Sequence, residues 1–96
     1  MGYNSNMVAW CVYVIELSNG AYYTGITNDL DKRMKTHARG KGSAYVKANL
    51  PIVNIMYVEY VADRSEASKR EAEIKGMRRD LKVRLANDPK NSLRKI

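Results

Sequence analysis

The sequence predicts an α+β fold in which a β-hairpin is followed by a helix, a third strand and further helices, in the order ββαβα(α). Two runs rich in Val, Ile and Tyr flank the turn residues 18–20, which is typical of a hairpin. A third run of this kind follows Pro51. The remaining segments begin with Asn or Asp and end at Gly or before Pro, as helices do.

The composition indicates one small basic domain. A chain of 96 residues has room for a single hydrophobic core, and we assign residues 8–87 to this domain. Residues 88–96 are predicted to form a basic C-terminal tail, frayed over residues 90–96. The chain carries 17 Lys and Arg against 10 Asp and Glu, a formal charge of +7. Such a charge attracts polyanions, nucleic acids among them.

Membrane insertion and disulfide chemistry are not expected. The apolar run over residues 7–15 is too short to span a bilayer, and no Lys or Arg precedes it as in a signal peptide. Cys11 is the single cysteine, which excludes an internal disulfide and argues against a four-ligand zinc site. We therefore expect a cytoplasmic protein.

The first two strands are predicted over residues 10–17 and 21–27, and two turns between them are compatible with the sequence. A two-residue turn would put Tyr13 and Tyr23 on opposite faces of the hairpin. A three-residue loop would pair Tyr13 with Gly25, and both phenols would then share one face. We favour the three-residue loop because a glycine across from Tyr13 would leave a slot for a phosphate.

A helix of about three turns is predicted over residues 28–40. Asn28 is the expected cap, acids occupy the first turn, bases occupy the last turn, and a glycine closes the segment. Arg33 and His37 stand four residues apart and therefore project from the same side of this helix. Residues 41–49, which are basic and contain glycine, are predicted to form a loop with some helical turn.

The second half of the chain predicts one more strand and two helices. The strand covers residues 52–61, and a helix over residues 65–77 begins at Asp63, with an acid three residues later. Its end is expected close to a glycine. A shorter helix over residues 80–85 is stopped by the Asn-Asp-Pro sequence of residues 87–89.

Glu71 stands out because its position conflicts with its charge. Ala67, Glu71 and Ile74 follow helical spacing, so the carboxylate lies in the stripe that faces the sheet. A carboxylate placed there needs a compensating cation, hydrogen bonds or a metal ion. A salt bridge to Arg33 or another base and a metal site are both compatible with the sequence.

Together these residues supply the groups needed to hydrolyse a phosphodiester. Arg33 offers a planar cation that suits phosphate oxygens. Glu71 could anchor one Mg²⁺ or Mn²⁺ ion, because such ions are commonly held by one or two carboxylates plus substrate phosphates. A tyrosine acting as base would need a lowered pKa, since an unperturbed value of about 10 leaves roughly 0.1% phenolate at pH 7. Arg33 could lower that pKa, and His37 could relay a proton or bind phosphate.

The order of these residues resembles that of the GIY-YIG nuclease family, in particular its small stand-alone bacterial members. The resemblance runs from about Trp10 to Leu85. Its two motifs appear as Cys11-Val12-Tyr13 and Tyr23-Thr24-Gly25, and the later family positions are matched by Arg33, His37 and the metal-binding Glu71.

The resemblance implies a three-stranded antiparallel sheet flanked by helices, one divalent metal ion and cleavage of DNA. It implies that one tyrosine is the base, and we favour Tyr13 with Tyr23 as its positioning partner. The chain departs from the family pattern at Cys11 and at Ile26, where repair nucleases often carry a basic residue. Asn87 is a candidate for the Asn that some members place after the metal-binding helix.

The sequence therefore predicts a metal-dependent endonuclease with little sequence specificity, acting on structured or damaged DNA in repair or recombination. The alternative is a nucleic-acid-binding module with the same scaffold and little catalysis, and a third reading is a protein-interaction domain. We expect a monomer or weak dimer without a membrane partner or organic cofactor. The candidate substrate contacts are Gly25, Arg39, Lys41 and Lys47, with Arg78 and Arg79 as further phosphate contacts.

Overall fold

The computed structural model describes residues 9–94 and shows the predicted α+β architecture, a three-stranded antiparallel sheet with the strand order β2-β1-β3. None of the helices in this range has the length and hydrophobicity of a transmembrane span. The strands are β1 (Trp10–Leu17), β2 (Tyr22–Thr27) and β3 (Ile52–Val61). The helices are α1 (Leu30–Ala38), α2 (Ala44–Ala48), α3 (Arg64–Lys75) and α4 (Arg79–Arg84), followed by short 3₁₀ turns at Leu85–Asn87 and Ser92–Arg94.

The hairpin adopts the three-residue loop. Tyr13 pairs with Gly25 and Ile15 with Tyr23, and Gly20 has the left-handed φ of +84° that this loop requires. The Leu17 amide closes the loop by donating to the carbonyl of the residue after Gly20 at 2.9 Å. Both phenols consequently lie on the same face of the sheet.

The helix boundaries agree with the sequence except at two places. Helix α1 is capped by Asp29 instead of Asn28, because Asp29 is the extended residue whose side chain accepts the Lys32 N–H at 3.1 Å. The predicted loop over residues 41–49 contains helix α2, which Ser43 caps. The predicted cap Asp63 accepts the N–H of the acid three residues later at 2.9 Å, and Gly76 ends α3.

Side chains of β1 alternate between two cores, one on each face of the sheet. The first core contains Tyr13 and Ile15 and is covered by α1 and α2 through residues such as Met34 and Val46. The second core contains Val12, Val14 and Tyr57, with Ile74 of α3 and Leu85 packed against them. The sheet is therefore the middle of three layers.

The C-terminal residues depart from the predicted fraying. Asn91 is 2% exposed, and its side-chain amide binds the outer edge of β3. The Val58 N–H donates to Asn91 Oδ1 at 3.1 Å, and Asn91 Nδ2 donates to the carbonyls of Met56 at 3.0 Å and Ala86 at 3.1 Å. The 3₁₀ turn that follows Asn91 thus lies beside β3, while residues 95 and 96 lie outside the described part of the chain.

Replacing Asn91 with Ala is expected to lower the free energy of unfolding by about 2 to 3 kcal/mol, because the substitution leaves buried backbone groups of β3 without partners. Denaturant unfolding would measure this loss. The exposed Asn54 on the same strand provides the control, since Asn54→Ala should change stability by less than about 0.5 kcal/mol. Equal losses in the two variants would contradict an anchoring role for Asn91.

Candidate active site

Three aromatic side chains meet on the face of the sheet that α1 covers. The Tyr13 hydroxyl lies 2.8 Å from Nε2 of His37, and these residues are 1% and 0% exposed. The Tyr23 ring centroid lies 6.5 Å from that of Tyr13 and 5.6 Å from that of His37. Hairpin register and helix packing therefore bring together side chains that are 24 residues apart in the chain.

Arg33 borders this aromatic cluster. A Cβ atom added to Gly42 would lie 3.5 Å from Arg33 Nη1 and 3.8 Å from His37 Nδ1, so the guanidinium and the imidazole line the same small space. Gly42 has a φ of +90°, which lets the loop after α1 approach both groups closely. The i, i+4 spacing of Arg33 and His37 thus places both on the inner side of α1, as predicted.

Gly25 does not form the open phosphate slot that the sequence predicts. A Cβ atom at this position would lie 2.5 Å from the Tyr13 hydroxyl oxygen and 2.6 Å from its ring carbon Cζ. The space over Gly25 is therefore filled by the phenol and is not an open slot for a phosphate. The glycine instead allows Tyr13 to lie flat enough to reach His37.

Burial sets the protonation state of Tyr13. Removal from water raises the pKa of the Tyr13 phenol above its ordinary value, and the neighbouring Tyr23 raises it further. Arg33 lowers the pKa of Tyr13, as the sequence predicted, but its effect is smaller than that of burial. In the free protein Tyr13 is thus a neutral phenol, and the expectation of a lowered pKa is wrong.

His37 is the natural acceptor for the Tyr13 proton. Burial, and then the charge of Arg33, lower the pKa of His37, and together they outweigh the backbone of Lys41, which raises it. The imidazole is therefore neutral at pH 7. We assign its proton to Nδ1, since Nε2 then accepts the hydrogen bond from Tyr13.

This lowered pKa predicts that acid destabilises the fold. The unfolded chain binds a proton at His37 near its ordinary pKa of about 6.5, before the folded protein does. Stability is then unaffected above about pH 6.5 and falls as the pH drops below that value. Denaturant unfolding at several pH values would measure the loss, and His37→Gln should remove this part of it.

The same prediction has a direct spectroscopic check. His37 is the single histidine of the chain, so its imidazole signals are unambiguous in an NMR titration. We expect a midpoint below about 6.5. A midpoint at or above that value would contradict the assignment of a neutral, buried acceptor.

Glu71 belongs to the helical layer on the face of the sheet opposite to α1. It is on α3, which packs on the opposite face through Ile74, and its side chain is 24% exposed. Lys75 Nζ lies 3.1 Å from Glu71 Oε2, so the compensating base is Lys75 and not Arg33. The carboxylate is still near enough for its charge to raise the pKa of Tyr13.

Helix α3 is fixed to the sheet immediately beside Glu71. The Arg70 guanidinium donates to Glu59 Oε1 of β3 at 2.9 Å and to Glu73 Oε1 at 3.0 Å. The Tyr57 hydroxyl also donates to Glu59. This network holds the turn of α3 that carries Glu71 in one orientation.

The surroundings of Glu71 suit a metal ion that is held by a single protein carboxylate. Within residues 9–94 no group of three or more His, Cys, Asp or Glu side chains could form a complete metal cage. One carboxylate oxygen of Glu71 is paired with Lys75, and the second makes no hydrogen bond or ion pair with the described residues. Mg²⁺ bound by one carboxylate and substrate phosphates is compatible with this arrangement.

The predicted substrate-contacting bases differ in their surroundings. Arg39, Lys41 and Lys47 are exposed, and they follow His37 or lie near the end of α1, where the Lys47 stem packs beside Gly40. Arg78 is paired with an aspartate at 3.3 Å. Arg79 lies 4.2 Å above the Tyr22 ring, on the second-core side of the sheet.

Sequence reasoning missed two residues of this region. The Glu71 to Lys75 ion pair has i, i+4 spacing, a signal that could have been read from the sequence. Gly42 lies in the predicted loop over residues 41–49, but its approach to Arg33 and His37 depends on the path of the loop and has no local signal.

Comparison with known proteins identifies the family of this domain. Residues 9–84 match the model of the GIY-YIG catalytic domain. A UPF0213 protein from Bacillus cereus is 43% identical over 72 residues, which cover 75% of this chain and 74% of that protein. A UPF0213 protein from Staphylococcus aureus is 42% identical over 77 residues, which cover 80% and 93%.

A solved structure shares the fold. The solution NMR structure of a UPF0213 protein from Bacillus halodurans superposes with a TM-score of 0.54 and 32% identity, covering 91% of this chain and 90% of that one. The chain therefore belongs to the GIY-YIG catalytic-domain family, and its relatives include small bacterial proteins named UPF0213.

Proposed function

We propose that the protein is a metal-dependent endonuclease that hydrolyses DNA phosphodiester bonds with little sequence preference. Membership of the GIY-YIG family supports a nuclease. The observation that carries the proposal is the buried hydrogen bond from Tyr13 to His37, with Arg33 beside it. A phenol, a neutral imidazole and a permanent cation in one place form a proton-transfer and phosphate-binding site.

Tyr13 acts as the base through His37 in this mechanism. A free phenolate is disfavoured by burial, but the phenol can take a proton from the attacking water while it passes its own proton to Nε2 of His37. The low pKa of His37 keeps the acceptor available at neutral pH. Tyr23 packs against both rings and serves as the positioning partner.

Arg33 and Glu71 handle the charge of the phosphate. The Arg33 guanidinium binds the non-bridging oxygens of the scissile phosphate with its planar fork. Glu71 would hold one Mg²⁺ or Mn²⁺ ion, and such an ion would neutralise charge on the phosphate and stabilise the leaving oxygen.

Substrate recognition rests on the backbone of DNA. Arg39, Lys41 and Lys47 are exposed around the end of α1, where they can contact phosphates without reading bases. We accordingly propose structured or damaged DNA as the substrate, in repair or recombination in the cytoplasm. The active unit is a monomer or weak dimer.

A nucleic-acid-binding module with little catalysis is the second candidate. The raised pKa of Tyr13 favours it, because a phenol that holds its proton is a poor base. The departures from the family pattern at Cys11 and Ile26 favour it as well. Tight, salt-sensitive DNA binding without cleavage in any divalent ion would select this function.

Cleavage of plasmid and branched DNA by the purified protein, with Mg²⁺ or Mn²⁺, tests the proposal. Arg33→Ala and Glu71→Ala should each lower the rate by at least about tenfold, because each removes a charge needed at the phosphate. Glu66→Ala, on the exposed side of α3, is the matched control and should cut at the parent rate. If both site variants cut as well as the parent, the site assignment fails.

A further inference from the structure

A second polar pocket adjoins the candidate active site. It has a volume of about 260 Å³ and lies between the end of β2 and the first two turns of α1. Arg33 belongs to both this pocket and the active site. The residues that line the pocket are Thr27, Asn28, Asp29, Lys32, Arg33 and Thr36.

The side chains of Lys32 and Arg33, the two cations of this pocket, project in different directions. Lys32 and Arg33 are consecutive residues of α1, and consecutive helical residues project in different directions. Arg33 reaches towards His37 and Gly42, whereas Lys32 is exposed on the pocket rim. The two side chains are therefore suited to two separate phosphates and not to one.

Some polar groups of the pocket already form hydrogen bonds within the protein, and others are left to bind a ligand. Asp29 accepts the Lys32 N–H in the cap of α1, and the Thr27 and Thr36 hydroxyls bind backbone groups. The exposed Asn28 amide makes no hydrogen bond to any of residues 9–94. The Lys32 ammonium and the Asn28 amide thus face the same pocket. The backbone N–H groups at the start of α1 contribute little to it, because Asp29 caps the first turn.

We propose that this pocket binds the nucleotide next to the scissile phosphate, an inference that rests on the proposed nuclease function. Lys32 contacts the flanking phosphate, and Asn28 contacts the edge of the base. The volume lies just below the roughly 300 to 1,000 Å³ of whole small-molecule sites, so the pocket takes one nucleotide unit. An amide can donate to and accept from a base edge, which gives the site a mild preference among nucleotides.

Titration of ¹⁵N-labelled full-length protein with deoxynucleoside 5′-monophosphates, without metal, tests this inference by NMR. We expect shifts at the amides of Thr27, Asn28 and Thr36, and weaker binding of inorganic phosphate in a parallel titration. Lys32→Ala should weaken nucleotide binding about fivefold or more, because it removes the phosphate contact. Lys35→Ala is the matched control, since Lys35 is exposed on the same helix and does not line the pocket.

Three results would overturn the inference. These are shifts that map outside the pocket, equal losses of affinity in the two lysine variants, and binding of inorganic phosphate as tight as that of the nucleotides. The titration contains no metal and measures no cleavage, so a failure to cleave DNA would leave its outcome unchanged. Conversely, an active nuclease without pocket shifts would refute the nucleotide site alone.

Discussion

Tyr13→Phe is expected to lower the rate of DNA cleavage by about 100-fold to 10,000-fold, the range that a positioned proton-transfer group contributes. The substitution removes the hydroxyl that links the attacking water to Nε2 of His37. DNA binding should change little, because the substitution removes one neutral hydroxyl and no positive charge. Single-turnover cleavage at saturating metal, with binding measured separately, would check both statements.

Stability must be separated from chemistry in this test. The loss of the buried hydrogen bond leaves an imidazole nitrogen of His37 without its partner, which costs about 1 to 3 kcal/mol. Asn91→Ala is the matched control, because Asn91 is equally buried and hydrogen-bonded but lies at the outer edge of β3 and has no part in the site. Both variants should be less stable, and only Tyr13→Phe should cut slowly per folded molecule. Equal rates in the two variants would contradict the role of Tyr13 as base.

Gly25→Ala is expected to lower the cleavage rate by about 100-fold, the loss that a misplacement of about 1 Å can cause. Its new methyl group would lie 2.5 Å from the Tyr13 hydroxyl oxygen and 2.6 Å from Cζ. The phenol is rigid and buried, so it must move and lose its hydrogen bond to His37. Cleavage assays, together with the NMR midpoint of His37, would report the two effects independently.

Gly76→Ala provides the control for this substitution. Gly76 ends α3 with a φ of −80°, and an added Cβ would be 3.6 Å from its nearest neighbours, an ordinary contact. This variant should retain the parent rate. If Gly25→Ala also cuts at the parent rate, the close approach of Tyr13 to β2 is not required for catalysis.

Much of the architecture could be predicted because its signals are local. The left-handed Gly20 selected the hairpin register, and that register determined which faces Tyr13 and Tyr23 share. The Asp63 cap and the Gly76 terminus marked the ends of α3 for the same reason. Helical spacing was sufficient to place Arg33 and His37 on one side of α1.

The remaining features depend on contacts between distant segments. The protonation state of Tyr13 is set by how deeply three elements bury it, which no single stretch of sequence encodes. Gly25 makes room for the Tyr13 phenol only because the Tyr13 ring lies across β2. Asn91 looked like part of a polar tail, because its partners on β3 are more than 30 residues away.

The contacts of Asn91 have a consequence for shortened forms of the protein. A fragment that stops at residue 87 would retain all five candidate catalytic side chains, yet the N–H of Val58 and the carbonyl of Met56 would lose their partners. An unprotected strand edge is the surface along which β-sheet proteins associate and aggregate. Solubility is therefore protected by a residue far along the chain from the groups that carry out the chemistry.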